Sequence, residues 1–204
     1  MITPSHIIYS WALAKKTEKS GRGGGATPRH RTLAFVLGAL FPDTPTYLFF
    51  IVNGLILGYS GQVLWGDMYF NSAWSIPITL THSFILWPVL IVTATYFGWN
   101  LLRWFSISAL IHTVVDFLVH TDDAYRHFYP FSQWKFYSPI SYYNPAEYGL
   151  FVSAFDSLLV LGLLTYLYTK YLGKWRILIG LIGILYLVRL VAEPIIILIM
   201  HHGS

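Results

Sequence analysis

Five long apolar stretches constrain the fold of this chain more than any other feature of it. They cover roughly residues 33–57, 76–97, 101–120, 148–171 and 177–200. A helix that crosses the hydrocarbon core of a bilayer needs about 20 mainly apolar residues, and each stretch is long enough. Hydrophobic residues make up 55% of the chain and charged residues only 11%, which is typical of membrane proteins. We therefore predict an all-α integral membrane helical bundle with about five transmembrane helices, in a single domain of residues 1–204.

The N-terminal segment is apolar only over residues 5–14, which is too short to cross a bilayer. Pro4 and Ser5 are a helix start signal, so we predict a short N-terminal helix that is interfacial or re-entrant. Residues 15–31 follow as a predicted flexible loop, rich in glycine and basic residues. Because the basic cluster follows the apolar stretch instead of preceding it, we do not expect a cleavable signal peptide.

The basic residues predict which loops face the cytoplasm. In a chain with five spans, ten of the 13 Lys and Arg residues fall on one side, namely Lys15, Lys16, Lys19, Arg22, Arg29, Arg31, Arg103, Lys170, Lys174 and Arg176. The loops on the opposite side contain only Arg126 and Lys135. Since short cytoplasmic loops carry an excess of Lys and Arg, the 15–31 loop is predicted to be cytoplasmic, and the 58–75 and 121–147 loops external. Contact of the basic loop with anionic lipids is a second interpretation.

Three polar residues form a stripe along the third apolar stretch. His112, Asp116 and His120 recur every four residues, so they lie on one face of a helix. Ionisable groups at membrane depth are costly and mark functional sites. A His-x-x-x-Asp pair directs a nitrogen and a carboxylate oxygen to the same point, which suits zinc, or manganese or iron. The alternative is a buried His–Asp hydrogen bond between helices.

Two further polar residues lie in the first and second apolar stretches. Asp43 lies between Pro42 and Pro45, which break or kink a helix, and a broken helix is tolerated at membrane depth only where it lines a cavity or the protein interior. The simpler interpretation is a kink with a capping Asp. His82 lies at the predicted depth of Asp116, although a single buried His is more often a core residue.

The 121–147 loop continues this series with Asp122, Asp123 and His127. Each of these residues alone is also compatible with a solvated loop. The rest of the loop is rich in aromatic residues and proline and has few charges. We predict that it covers the site at the membrane surface.

Two later polar groups have a simpler explanation. Asp156 is predicted to form a helix-packing hydrogen bond, and a supporting role at the site is the alternative. Arg189 and Glu193 are four residues apart in the last span and are predicted to neutralise each other. The functional alternative is that Arg189 binds an anionic group of a substrate.

The order of these motifs resembles that of a known family. The matching residues are His6, Gly38 to Asp43 (Gly-Ala-Leu-Phe-Pro-Asp), Thr81-His82-Ser83, His112 with Asp116, and Pro130-Phe131. In this respect the chain resembles the YdjM-like family of bacterial inner-membrane proteins, which are described as metal-dependent hydrolases. The resemblance covers roughly residues 1–135 and implies a multi-pass location in a bacterial inner membrane. A looser similarity to zinc-dependent phospholipases C suggests, by analogy only, a phosphoester substrate.

Taken together, these observations predict a metal-dependent hydrolase with its site in the outer half of the bundle. The predicted metal ligands are His6, Asp43, His82, His112 and Asp116, and the predicted catalytic acid/base groups are His120, Asp123 and His127. One or two divalent ions, most simply zinc, would activate a water molecule. The predicted substrate is a membrane lipid or a lipid-linked molecule. A cytoplasmic N-terminal helix would have to re-enter the membrane for His6 to reach Asp43.

Two other classes of function remain open. The His/Asp stripe is also compatible with an ion or proton transporter or sensor, although no second broken helix suggests an inverted repeat. A non-catalytic assembly factor with a structural metal is the other class. We do not expect nucleic-acid binding, because the basic loop is short, Gly-rich and explained by topology. The pattern carries no signal of an oligomeric state.

Overall fold

The regular structure in the described part of the chain is entirely helical. A computed structural model describes residues 2–18, 27–142 and 144–202. The α-helices are α1 (Thr3–Glu18), α2 (Pro28–Leu40), α3 (Thr44–Phe49), α4 (Gly61–Val63), α5 (Tyr69–Asn71), α6 (Ser75–Thr81), α7 (Leu86–Tyr96), α8 (Asn100–Val119), α9 (Gly149–Lys170) and α10 (Lys174–His202). Short 3₁₀ helices cover Phe41–Asp43 and Pro145–Glu147, and π-helical turns cover Phe50–Ile56 and Leu64–Met68. The predicted all-α fold is confirmed.

Four helical segments in this part of the chain are long and apolar enough to cross a membrane, namely Pro28–Ile56, Asn100–Val119, Gly149–Lys170 and Lys174–Ile195. A fifth span is formed if α6 and α7, which meet at an angle of 52°, count as one broken helix. Many large apolar side chains on the outside of these helices are exposed, including Leu158 on α9 and Leu185 on α10. Such a surface is stable in lipid, where apolar side chains do not contact water. The helices can enter lipid because their backbone groups form hydrogen bonds within each helix.

Helix α1 is packed inside the bundle, between α2 and α9. Its 16 residues extend over roughly 24 Å, less than the thickness of a bilayer core. Its C-terminal end lies beside the start of α2, where the Arg31 guanidinium donates to the Thr17 carbonyl at 3.1 Å. Its N-terminal end therefore points away from this basic end of the bundle. His6 reaches the interior of the bundle because α1 runs inward from the basic end, while the predicted interfacial or re-entrant placement of this helix in a membrane stays a prediction.

The predicted 15–31 loop is shorter than expected. Residues 15–18 belong to α1, and α2 begins at Pro28, because the Thr27 hydroxyl accepts a hydrogen bond from the His30 N–H at 3.4 Å and proline favours the first helical position. Residues 19–26 lie outside the described residues. The α9–α10 turn lies at the same end, where the Trp11 indole donates to the Tyr171 hydroxyl at 2.8 Å. Basic segments thus share one end of the bundle, while their cytoplasmic location stays a prediction.

Helices α2 and α8 approach each other closely through small residues. The Ser108 hydroxyl donates to the Phe35 carbonyl at 2.6 Å, and a Cβ added to Gly38 would lie 2.2 Å from the Phe105 carbonyl oxygen. Small residues at such a crossing allow backbones to approach. The contact holds α2 and α8 side by side, and both helices carry groups of the site described below.

Replacing Gly38 by alanine is expected to destabilise the protein by about 1–3 kcal/mol or more, the usual cost of overpacking a tight interface. The added methyl group meets backbone atoms of Phe105, which cannot move away as a side chain does. Thermal unfolding in detergent measures the effect. Gly162→Ala on α9 is the matched control, because nothing lies within 4 Å of its added Cβ. Equal unfolding midpoints for the two variants would contradict this account of the α2–α8 contact.

Candidate metal centre

Four of the predicted metal ligands come together inside the bundle. His112 Nε2 lies 3.6 Å from Asp43 Oδ1 and 3.0 Å from Asp116 Oδ2. His82 Nε2 lies 3.7 Å and 3.5 Å from the same two oxygens. In a tetrahedral site with metal–ligand distances of about 2.0–2.1 Å, ligand atoms are about 3.3 Å apart. The spacing of these atoms therefore fits a small divalent ion, and all four ligand atoms lie within 4.8 Å of one another.

The two histidines of this quartet are fixed in the tautomer that metal binding needs. His82 Nδ1 donates to the Ile78 carbonyl at 2.8 Å and His112 Nδ1 donates to the Ala39 carbonyl at 2.7 Å. A neutral imidazole that donates from Nδ1 has its lone pair on Nε2. Both Nε2 atoms are buried and have no well-oriented hydrogen bond among the described residues. A backbone carbonyl on the other nitrogen is the usual support of a metal-binding histidine.

Breaks in two helices bring these groups together. Pro42 lacks an N–H, and the backbone tightens into a 3₁₀ turn over Phe41–Asp43, which places Asp43 at the start of α3. Helix α6 ends at Thr81, whose hydroxyl donates to the Pro42 carbonyl at 2.8 Å. His82 follows as the C-cap residue of α6. The two breaks thus face each other, with Asp43 on one and His82 on the other.

The second oxygen of Asp116 faces a different pair of histidines. Asp116 Oδ1 lies 3.0 Å from His6 Nε2 and 3.4 Å from His120 Nε2. The His6 ring stacks on the His112 ring, with centroids 3.8 Å apart. Asp116 therefore lies between two groups of histidine nitrogens, one facing each oxygen. Carboxylates in this arrangement are suited to bridging two metal ions.

The other oxygen of Asp43 is held by α1. The Thr3 hydroxyl donates to Asp43 Oδ2, and the Tyr47 hydroxyl donates to the Thr3 hydroxyl at 2.6 Å. This chain of hydrogen bonds leaves Asp43 Oδ1 directed at His82 and His112. Thr3 therefore orients a predicted ligand, a role that its sequence position did not suggest.

A cavity of about 530 Å³ opens on this centre. Its walls include Asp43, Asp116, His120 and Asp123 on the polar side, and Tyr47, Trp65, Tyr69, Phe70 and Tyr125 on the aromatic side. His120 Nδ1 lies 2.7 Å from Asp123 Oδ2, so His120 connects Asp123 to Asp116. Burial alone would raise the pKa of Asp123, but its contact with His120 outweighs burial and lowers that pKa. The Asp123 side chain is 34% exposed and the His120 side chain 4%, so Asp123 is the more accessible of these two predicted catalytic residues.

His127 lies behind His82 and does not line the cavity. Its Nδ1 donates to the His82 carbonyl at 2.8 Å, and its own carbonyl accepts the Phe84 N–H at 2.7 Å. Burial lowers the pKa of His127 to about 4, so its ring is neutral near pH 7. The 121–147 loop is fastened through these bonds to the break between α6 and α7.

A second buried polar network holds the N-terminal half of α1. Asp156 on α9 accepts hydrogen bonds from Ser5 at 2.7 Å and from Tyr9, and it pairs with Arg189 on α10 at 3.3 Å. Arg189 also pairs with Glu193 at 3.3 Å, as the sequence predicted. The helix-packing role predicted for Asp156 agrees with these contacts. Because Ser5 precedes His6, the network also fixes the helix turn that presents His6.

Several residues at the centre were not predicted from sequence. Tyr125 stacks on the His82 ring, with centroids 3.9 Å apart, and Thr3 binds Asp43. Neutral side chains such as these are common throughout a chain with 15 tyrosines, so nothing in their local pattern sets them apart. The only available signal for Thr3 was its position three residues before His6.

Comparison with known proteins adds no relative: no profile of a known protein family, no curated protein and no solved structure matches the chain.

Proposed function

We propose that this protein is a multi-pass, membrane-embedded, metal-dependent hydrolase that cleaves a phosphoester in a lipid or lipid-linked substrate. The observation that carries the proposal is the buried quartet of Asp43, His82, His112 and Asp116. The Nε2 lone pairs of His82 and His112 are buried without a hydrogen-bond partner among the described residues, which is costly unless a cation binds them. Zinc suits this ligand set best, and manganese and iron are the other candidates.

The position of Asp116 favours two ions over one. Its Oδ2 faces the quartet, whereas its Oδ1 faces His6 and His120. A bound divalent metal lowers the pKa of a coordinated water to about 7 and polarises a phosphoryl oxygen. In this proposal Asp43, His82 and His112 would hold one ion, His6 would hold the other, Asp116 would be shared between them, and His120 would act as an acid/base group.

Protons would move between the centre and the cavity through His120 and Asp123. His120 contacts Asp116 through Nε2 and Asp123 through Nδ1, so it can accept a proton on one nitrogen and release one from the other. Asp123 faces the cavity. Hydrolysis forms one bond from phosphorus to the water oxygen and breaks the ester P–O bond. Asp123 would pass the proton of the attacking water to the leaving alkoxide oxygen. His127, behind His82, would position that ligand.

The lipid part of the proposal rests on the aromatic wall of the cavity. Tyr47 and Trp65 line it and are also about half exposed on the bundle surface. In a bilayer this surface meets lipid, so an acyl or isoprenoid chain has an apolar path to the centre. The centre lies beyond the midpoint of α8, at the end away from the basic segments. By the charge rule of membrane topology, that end would face outward. The location in a bacterial inner membrane rests on the YdjM-like resemblance of the motifs.

Elemental analysis of protein purified without chelators tests the metal centre. We expect about two equivalents of divalent metal per chain in the wild type and no more than about one in His82→Ala/His112→Ala. His30→Ala is the control, because His30 is exposed on α2 and is expected to keep the full metal content. If neither protein contains metal after purification with added metal, the cluster is a packing network or a proton path and the metal centre is wrong.

A turnover assay separates a hydrolase from an assembly factor with a structural metal. Metal-loaded and chelator-treated protein are incubated with lipid phosphoesters and lipid amides in mixed micelles. We expect release of the alcohol product only from phosphoesters and only with metal present. Equal inertness of both preparations, with unfolding on metal removal, would contradict the hydrolase proposal and favour a structural metal.

A further inference from the structure

The two basic residues on the predicted outer side of the membrane meet in one cavity. This second cavity has a volume of about 190 Å³, and Arg126 and Lys135 both line it. The 121–147 loop otherwise carries few charges. The fold thus collects the only two Lys or Arg residues of the predicted external loops at a single point.

Arg126 and Lys135 contact neutral groups and rings within the part of the chain that the structure describes. Among the side chains that the structure describes, no carboxylate forms an ion pair with Arg126 or Lys135. The Arg126 guanidinium donates to the Gln133 amide oxygen at 2.9 Å and to the Thr79 hydroxyl at 3.2 Å, and the Lys135 ammonium lies over the Phe70 ring, 4.9 Å from its centroid. Burial, and then the charge of Arg126, lower the pKa of Lys135, while Asp123 acts in the opposite direction.

This cavity adjoins the candidate metal centre. Tyr69, Phe70 and Tyr125 line both cavities, and the Tyr125 ring stacks on the His82 ring. Thr79, which holds Arg126, lies one helical turn before His82. The cationic pocket and the metal centre therefore belong to neighbouring cavities that share an aromatic wall.

The geometry points to a subsite for a second anionic group of the substrate, a phosphate attached next to the scissile phosphoester of a lipid. Arg126 and Lys135 would bind this phosphate, and the wall of Ser75, Thr79 and Asn71 offers neutral polar partners. The substrate class is then a lipid diphosphate and not a lipid with a single neutral headgroup. This inference rests on the proposed function, because it treats the neighbouring centre as the place of cleavage.

Binding in detergent tests the subsite without turnover. The probes are the bisphosphonate analogue of farnesyl diphosphate, in which carbon replaces both the ester oxygen and the bridging oxygen, and farnesyl phosphonate, which lacks the second phosphonate group. Affinities come from calorimetry. Wild-type protein is expected to bind the first at least about tenfold more tightly, as charge-assisted hydrogen bonds to one more phosphonate imply. Arg126→Gln/Lys135→Gln is expected to lose most of this preference. Lys170→Gln/Lys174→Gln removes the same charge at the opposite end and is expected to keep it.

A preference unchanged in Arg126→Gln/Lys135→Gln would overturn the subsite. Methylenediphosphonate without a lipid chain distinguishes a lipid headgroup from a free phosphate compound. If it binds as tightly as the farnesyl analogue, the lipid assignment is wrong. Metal content is measured on each sample. A preference that depends on Arg126 and Lys135 in a protein without metal or turnover would uphold the subsite while the hydrolase proposal fails.

Discussion

Replacing Asp116 by asparagine is expected to remove bound metal and turnover more completely than any other single substitution. Asp116 Oδ2 lies 3.0 Å from His112 Nε2, and Oδ1 lies 3.0 Å from His6 Nε2, so this carboxylate serves both groups of ligands. Asparagine keeps the shape but replaces one oxygen with an amide nitrogen that does not bind metal. Loss of an outer-shell partner costs about 10–100-fold in metal affinity, and loss of a shared ligand is expected to exceed 100-fold.

The metal count of three variants separates a bridging Asp116 from an ordinary ligand. Elemental analysis is expected to find two ions in the wild type and one in His6→Ala, which keeps the quartet. In Asp116→Asn it is expected to find fewer than one. Asp122→Asn is the control, because Asp122 lies just beyond the end of α8, is exposed and accepts a hydrogen bond from the Asn144 amide at 2.9 Å. Full metal content in Asp116→Asn would contradict the central role of this carboxylate.

Length and hydropathy predicted the long helices well, because a spanning helix satisfies its own backbone and needs only an apolar surface. The predicted third stretch, residues 101–120, corresponds to Asn100–Val119. The predicted second stretch is instead broken between α6 and α7. The Ser83 hydroxyl and the Phe84 N–H are bound there by carbonyls of Tyr129 and His127. A hydropathy average over many residues does not detect such a break. The contacts that stabilise the break come from a loop that is distant in sequence and cannot be read from the local pattern.

The candidate site was predictable to the extent that its residues are ionisable. Asp43, His82, His112 and Asp116 stand out because charged or polar groups are rare in apolar stretches, and the structure brings all four together. The position of His6 was not predictable, because it depends on the packing of α1 against α9. No local pattern predicted that Arg126 and Lys135 share a cavity, since eight residues of loop lie between them.

Replacing Asp156 by alanine is expected to destabilise the protein by about 3–5 kcal/mol, the usual cost of removing one partner of a buried ion pair. Asp156 is fully buried, and its loss removes an acceptor of Arg189 and of the hydroxyls of Ser5 and Tyr9. Arg189 keeps its contact with Glu193, which favours the lower end of this range. Thermal unfolding in detergent measures the loss. Glu193→Gln is the control, because Glu193 is more exposed than Asp156 and its replacement keeps the Asp156–Arg189 pair.

Asp156→Asn tests whether this network also positions His6. Asparagine keeps one oxygen acceptor for Ser5 but loses the charge that pairs with Arg189, so the variant is expected to fold with reduced stability. Ser5 holds the turn of α1 that carries His6. The affinity for the ion that His6 and Asp116 would hold is therefore expected to decrease. The quartet with Asp43, which has no contact with Asp156, is expected to keep its ion. A variant with lowered stability and full occupancy of both positions would show that the network stabilises the bundle without orienting His6.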